Sequence, residues 1–274
     1  MLSSYIIEKQ LGKGTYGVVY KVKKKEDNKI YVLKQISLLG LSPAQKAEVK
    51  LEAQVLSKIK SKYVVKYYDS FEEEGKLNII MEYCDKGDLN DFIEKQKKTK
   101  YLLNEDIIWR IFIKTTLGLA DIHKLNILHR DLKSLNILLT DKIEKSSDTT
   151  DIKISDFGLS RLYQKSCILT GHLGTCYWMA PEIIVNKRYS TKVDVYSYGI
   201  IIWEVCTRKT PYSCMSQQQV QFYVSVKKGR PNLKIIPNNT PPKIVQLMQM
   251  CWEHDPDKRP NFDYIVDYLR NLKI

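Results

Sequence analysis

Asp131, Lys133 and Asn136 stand within six positions of one another in the stretch Leu128-His129-Arg130-Asp131-Leu132-Lys133-Ser134-Leu135-Asn136-Ile137-Leu138-Leu139. A carboxylate can take a proton from a hydroxyl, and an ammonium supplies a fixed positive charge. An amide oxygen is a neutral ligand for a hard cation such as Mg2+. Apolar runs on both sides pin this loop between buried elements, so its side chains are held in place. A second acidic group, Asp156, ends the run Ile152-Lys153-Ile154-Ser155 and precedes Phe157-Gly158. That arrangement suits a metal ligand on a hinge.

A phosphate-binding element stands near the start of the chain. Leu11-Gly12-Lys13-Gly14-Thr15-Tyr16-Gly17-Val18-Val19-Tyr20 is a glycine-punctuated hairpin between two β-rich runs. Glycines let backbone N–H groups come close to phosphates. A dinucleotide-binding loop would run on into a helix. Here Val18-Val19-Tyr20-Lys21-Val22 continues as a strand, as a flap over a nucleotide would. In the next strand, Ile30 to Ile36, Lys34 is one ammonium inside an apolar run. It either reaches the phosphates or faces water from an edge. The helix that follows has clear start chemistry: Ser42 caps, Pro43 takes the first helical position and Gln45 completes a capping box. It runs to about Ile59. Glu52 shares a side with Val55, Leu56 and Ile59 and can pair with Lys34, with Glu48 one turn earlier as the fallback.

The remaining pattern positions these groups. Val64 to Tyr68 and Leu77 to Met81 complete a five-stranded sheet, and Glu82 to Gly87 is a connector. Helical periodicity follows near 88–97, 104–124, 192–206, 216–228, 241–252 and 261–272, and Asp141 to Asp151 is a charged loop. At 274 residues, 43% hydrophobic and 27% charged, the chain can bury a substantial core. No apolar run approaches the roughly 18 residues of a membrane span. Met1-Leu2-Ser3-Ser4 carries neither a signal-peptide pattern nor a myristoylation glycine, so no membrane is expected. Six cysteines without a Cys-x-x-Cys pair argue against a zinc cluster and for reduced thiols in the cytoplasm, with the nucleus as alternative. The net charge of +13 comes without a nucleic-acid-binding motif. It is assigned to lysine-rich solvated faces, and no nucleic acid is expected as a partner.

With the glycine loop, Lys34, Glu52, His129-Arg130-Asp131, Asn136, Asp156-Phe157-Gly158 and Ala180-Pro181-Glu182 in this order, the chain resembles the eukaryotic protein kinases from about Tyr5 to Leu272. The resemblance implies an α+β, bilobal protein-kinase fold. An antiparallel five-stranded sheet plus one helix would form an N-terminal lobe over residues 1–83, and a mainly helical C-terminal lobe would span 84–274. It implies ATP and Mg2+ (Mn2+ as alternative) as cofactors and proteins as substrates, and it leaves the oligomeric state open. Gly12, Gly14 and Gly17 would cover the phosphates, and Lys34, held by Glu52, would bind two of them. Glu82 and Cys84 would offer backbone groups to adenine behind Met81, with Leu11, Val19, Val32 and Leu138 also in the ATP site. Asp131 would accept the substrate proton with Lys133 beside the γ-phosphate, and Asn136 and Asp156 would bind the metal. Glu182 would pair with Arg259, and Asp194 would brace the catalytic loop.

Lys133, two residues after Asp131, together with Thr175 placed to hydrogen-bond both, implies a serine/threonine kinase in intracellular signalling. A dual-specificity or tyrosine kinase is the enzymatic alternative. A pseudokinase scaffold, which would lack Lys34, Asp131 or Asp156, is the alternative of another class. Residues Val64 to Phe71 and Met81 to Leu89, with Val32, resemble NIMA-related kinases. His129 to Leu139, Thr175 to Met179, Val193 to Gly199 and Cys251-Trp252 resemble tyrosine-kinase-like kinases. Arg130 and Arg161 are expected to form an anion pocket for a phosphate on Thr170, or else on Ser166.

Overall fold

Three β-rich runs open the chain and become the antiparallel strands β1 (Tyr5–Lys13), β2 (Gly17–Lys24) and β3 (Ile30–Ser37). The structure is a computed structural model that describes residues 1–13, 17–98, 105–140, 152–156 and 175–272; the side chains of Glu48, Glu52 and Thr175 are also outside the description. The chain divides into two compact units, Met1–Asp85 and Lys86–Ile274. The first holds a five-stranded antiparallel sheet in the order β1-β2-β3-β5-β4, with β4 spanning Tyr67–Glu73 and β5 spanning Lys76–Glu82.

The position of β4 differs from the expectation. Val64 and Val65 are buried, as their apolar character demands, but they precede the strand, Val64 in an isolated β-bridge and Val65 in irregular chain. Pairing is set instead by the turn: Glu73 faces Lys76 across Glu74 and Gly75, both at positive φ (53° and 68°). Two consecutive left-handed residues match the twist of a tight hairpin and fix its register. The strand therefore runs through Tyr67 to Glu73, whose mixed polar and aromatic sequence is a weaker signal than the valines.

One face of this sheet carries the cluster Val22, Leu33 and Ile80, with Leu2, Tyr5, Tyr20, Tyr31 and Phe71 packed around it. Each fully buried aliphatic side chain contributes about 1.5–3 kcal/mol. The α-helix described in this unit, α1 (Pro43–Leu56), starts as expected. Gln45 N–H donates to Ser42 Oγ (3.3 Å) and Ser42 N–H donates to Gln45 Oε1 (2.8 Å). It stops three residues before Ile59, where the Lys58 and Ile59 N–H groups reach back to Val55 and Leu56 in tighter turns.

The second unit is mainly helical. Its described helices are α2 (Leu89–Lys97), α3 (Glu105–Lys124), α4 (Pro181–Ile184), α5 (Lys192–Thr207), α6 (Gln217–Ser225), α7 (Pro242–Cys251) and α8 (Phe262–Arg270). Helix α5 is buried on every side from Val193 to Thr207, so it shows no amphipathic stripe. Helix α3 packs on α8, and α5 on α7. The α5–α7 contact requires a glycine: a Cβ on Gly199 would sit 2.9 Å from Cys251 Cβ. A two-stranded antiparallel ribbon, β6 (Ile137–Leu139) and β7 (Ile152–Ile154), completes the unit. Among the described residues the cysteines are free thiols, and no helix is long and apolar enough to cross a membrane.

Candidate active site

In the first unit, strand pairing brings the expected nucleotide residues into one patch. Gly12 faces Val19, Val19 faces Lys34, and Val32 faces Met81. Residues directly opposite on antiparallel strands share a face. Val19, Val32, Lys34 and Met81 therefore lie together on the face opposite the Val22–Leu33–Ile80 cluster. Leu11 stands 44% exposed near the end of β1. The two described glycines of the loop have different reasons to be glycine. A Cβ on Gly17 would lie 2.1 Å from the Gln35 carbonyl, so the β2–β3 approach itself forbids a side chain. A Cβ on Gly12 would meet no described atom within 4 Å, so packing leaves room there for a ligand's close approach. Glu82 is fixed at the end of β5: its N–H donates to Lys66 O (2.8 Å) and its Oε2 accepts the Lys66 N–H (3.0 Å). Cys84 is half-buried beyond it.

In the second unit, the loop His129 to Asn136 is built around Asp194, in the first turn of α5. Asp194 Oδ2 accepts the His129 N–H (2.8 Å) and Oδ1 accepts the Arg130 N–H (2.8 Å). His123 Nε2 adds a third donor to Oδ2 (2.8 Å). This clamp holds Arg130 in the left-handed region (φ 65°), which a non-glycine residue adopts only when its surroundings over-determine it. Burial opposes the charge of Asp194, but the hydrogen bonds from His123 and the loop hold its carboxyl below the usual aspartate range. Burial pushes His129 the other way, towards neutral imidazole, and its Nε2–H donates to Ser155 O (2.9 Å).

Asp131 follows immediately. Its Oδ2 accepts from Lys133 Nζ (2.8 Å) and Asn136 Nδ2 (3.2 Å), and the same amide donates to Asp131 O (2.7 Å). Asp131 Oδ1 is buried and accepts no hydrogen bond among the described residues. One carboxylate oxygen is thus immobilised and the other retains its acceptor capacity. Because Asn136 commits its nitrogen to Asp131, its oxygen is the atom suited to a cation. The β6–β7 ribbon sets Asn136 next to the second oxygen ligand. Ile137 pairs with Ile154, and the Ser155 N–H donates to Asn136 O (2.9 Å), which places Asp156 one residue beyond. Asp156 is also left-handed (φ 56°) and exposed. One amide oxygen and one carboxylate fit Mg2+, which keeps several waters and takes few protein ligands beside phosphate oxygens. Leu138 lies half-buried in β6.

Glu182 and Arg259 form the expected pair, bidentate at 2.6 and 2.9 Å and buried. Gly14, Phe157, Gly158, Arg161, Ser166 and Thr170 lie outside the described residues, as do the side chains of Glu52 and Thr175. The Lys34–Glu52 pair, the Thr175 bonds and the anion pocket therefore carry no structural description. His123, Ser134, Trp178 and Glu204 belong to the neighbourhood without having been singled out from the sequence. Ser134 Oγ donates to Glu204 Oε1 (2.8 Å) and Trp178 Nε1 donates to Glu204 Oε2 (3.1 Å). The available signal was a lone carboxylate inside the run Gly199 to Cys206, the most apolar stretch of the chain.

Comparison with known proteins agrees with this geometry. The protein kinase domain family matches residues 5–269. The serine/threonine-protein kinase STY46 of Arabidopsis thaliana is 32% identical over 96% of this chain and 43% of its own length. The probable serine/threonine-protein kinase nek2 of Dictyostelium discoideum is 32% identical over 97% of the chain and 62% of its own. For the human serine/threonine-protein kinase Nek5 the figures are 35%, 99% and 37%. The chain thus spans less than two thirds of the length of each of these curated relatives.

Proposed function

Since the chain belongs to the protein kinase domain family, we propose that it transfers the γ-phosphate of ATP to serine or threonine hydroxyls of protein substrates in intracellular signalling. The observation that carries the reading is the state of Asp131: one oxygen tied to Lys133 and Asn136, the other buried with no hydrogen-bond donor among the described residues. In the transfer, the substrate hydroxyl oxygen forms a bond to Pγ as the bond from Pγ to the β,γ-bridging oxygen breaks. The hydroxyl proton passes to Asp131 Oδ1, and ADP leaves with the electron pair. Lys133 offsets charge at the γ-phosphate and Lys34 orients the other two. Asn136 and Asp156 would hold Mg2+, which supplies neutralisation of phosphate charge when bound. Most of the rate then comes from positioning and electrostatics, which is the work of the Asp194 clamp.

The acceptor class rests on Lys133 and on the serine/threonine kinases among the relatives. It is tested by incubating the protein with Mg-ATP and dephosphorylated casein and separating the phosphoamino acids. Phosphoserine and phosphothreonine are expected; phosphotyrosine as a main product would move the assignment to a dual-specificity or tyrosine kinase. We place the protein in the cytoplasm, with the nucleus as alternative.

A further inference from the structure

The second unit holds an open cleft of about 500 Å3 beside the C-terminal end of α5, walled by Trp203, Tyr212 and Tyr223. Small-molecule sites have volumes of roughly 300 to 1,000 Å3, so a compact ligand fits here. The walls are fixed in advance. Trp203 is 3% exposed, and its Nε1 donates to Asn232 O (3.0 Å). The Tyr212 and Tyr223 rings meet edge to face, with centroids 6.2 Å apart. Tyr223 lies so close to Gly229 that a Cβ there would stand 2.2 Å from its ring. Pro231 and Ile235 add apolar surface. Walls already held in place take up a flat apolar body without the entropic cost of ordering them.

The charges of the cleft have one sign. Lys209 and Arg230 line it, and none of its described lining residues is acidic. Arg230 is half-buried. Its Nε donates to Trp252 O (2.7 Å), and its Nη1 donates to Gly229 O (2.7 Å) and Lys228 O (3.3 Å). The guanidinium also lies over the Tyr196 ring (5.0 Å). These contacts hold the group in place but bring it no negative charge. Among the described residues no carboxylate pairs with it, and its Nη2 has no acceptor. The surroundings are positive as well: burial, and then the fields of Arg230, Lys228 and Arg259, lower the pKa of His254. A partly desolvated charge without a counter-charge is costly. An anion entering the cleft would supply one.

We propose that this cleft binds a small aromatic carboxylate, with its flat body between Trp203, Tyr212 and Tyr223 and its carboxylate on Arg230, drawn in by Lys209. The cleft shares no residue with the loop that carries Asp131, and the proposal does not depend on the kinase reading above. Cys214 reports on occupancy. It lines the cleft and is exposed, whereas Cys176, Cys206 and Cys251 are buried.

2-Naphthoate and its neutral amide, 2-naphthamide, share one aromatic body and differ in charge at neutral pH. Comparing them tests the Arg230 contact without disturbing the carbonyls that Arg230 holds. Titration calorimetry is expected to give naphthoate a Kd of about 1 mM or tighter, and naphthamide an affinity roughly tenfold lower, the size of a hydrogen bond to a charged group. Alkylation by iodoacetamide with peptide mass mapping locates the ligand. Saturating naphthoate is expected to slow reaction at Cys214 severalfold, with half of the effect at its Kd and no change at Cys84. Cys214→Trp places an indole on the lining at an exposed position and is expected to weaken naphthoate binding about tenfold or more. Should that variant fail to fold, protection of Cys214 in the wild type decides. Equal affinity for the acid and the amide would overturn the proposal, as would no naphthoate binding at all. Binding that leaves Cys214 alkylation unchanged, or that survives Cys214→Trp at full strength, puts the ligand elsewhere and overturns it too.

Discussion

Asp194 shows how one buried side chain can determine a loop's chemistry. Its two oxygens hold the His129 and Arg130 N–H groups, and through them the left-handed turn that sets up Asp131. Asparagine in its place is the same size but offers one acceptor oxygen and turns an N–H towards donors already there. Asp194→Asn is therefore expected to cost about 3 kcal/mol, since hydrogen bonds to a buried charge are lost and a donor is left unsatisfied. The pH dependence has a definite sign. The folded-state pKa of Asp194 lies below its ordinary value near 3.8, so its contribution is whole above that value and fades as pH falls through and below it. Urea midpoints at neutral pH and near pH 3 measure both effects: a wide gap between wild type and Asp194→Asn at neutral pH, narrowing in acid. Equal midpoints at neutral pH would mean that Asp194 is not what holds the loop.

At the scale of elements, local chemistry was decisive wherever it was strong. The Ser42-Pro43-x-Gln45 start of α1 could be read directly and is present as a capping box. Ser42→Ala removes the acceptor for the Gln45 N–H and is expected to destabilise the protein by about 1 kcal/mol. Chemical denaturation checks this, and Ser42→Asp should restore most of the loss; a Ser42→Ala variant as stable as wild type would show that packing alone determines where α1 begins. The element that was misplaced, β4, shows why other boundaries were less legible. Val64 and Val65 are buried but precede the strand, Val64 in an isolated bridge, whereas the strand itself is fixed by the Glu74-Gly75 turn and by pairing with β5. Burial and pairing coincide in a central strand, and sequence alone does not separate them at an edge. Glu204 was missed for a related reason: a charge in an apolar helix means little until the donors that satisfy it, Ser134 and Trp178, are brought to it from segments 70 and 26 residues away.

At the scale of the whole molecule, the chain has the α+β architecture of the protein kinases, with a sheet-and-helix unit and a mainly helical unit. Each unit assembles its own part of the chemistry. Cross-strand register gathers Val19, Val32, Lys34 and Met81 on one face of the sheet, while the α5 clamp and the β6–β7 ribbon gather Asp131, Lys133, Asn136 and Asp156. The ordered motifs could be read from the sequence because their residue types and spacing are local features of the chain. The network beneath them, which depends on long-range packing, could not. We propose that Asp131 drives phosphate transfer from Mg-ATP to a protein hydroxyl. The most direct test is radiolabelled phosphate incorporation into dephosphorylated casein by the wild type and by Asp131→Asn, with ATP-induced thermal stabilisation followed in both. We expect incorporation that requires Mg2+ and falls by about 10²-fold or more in Asp131→Asn, with stabilisation by ATP retained, since a general base contributes 10²–10⁴ in rate. Incorporation by Asp131→Asn at the wild-type rate, or none by the wild type, would contradict it.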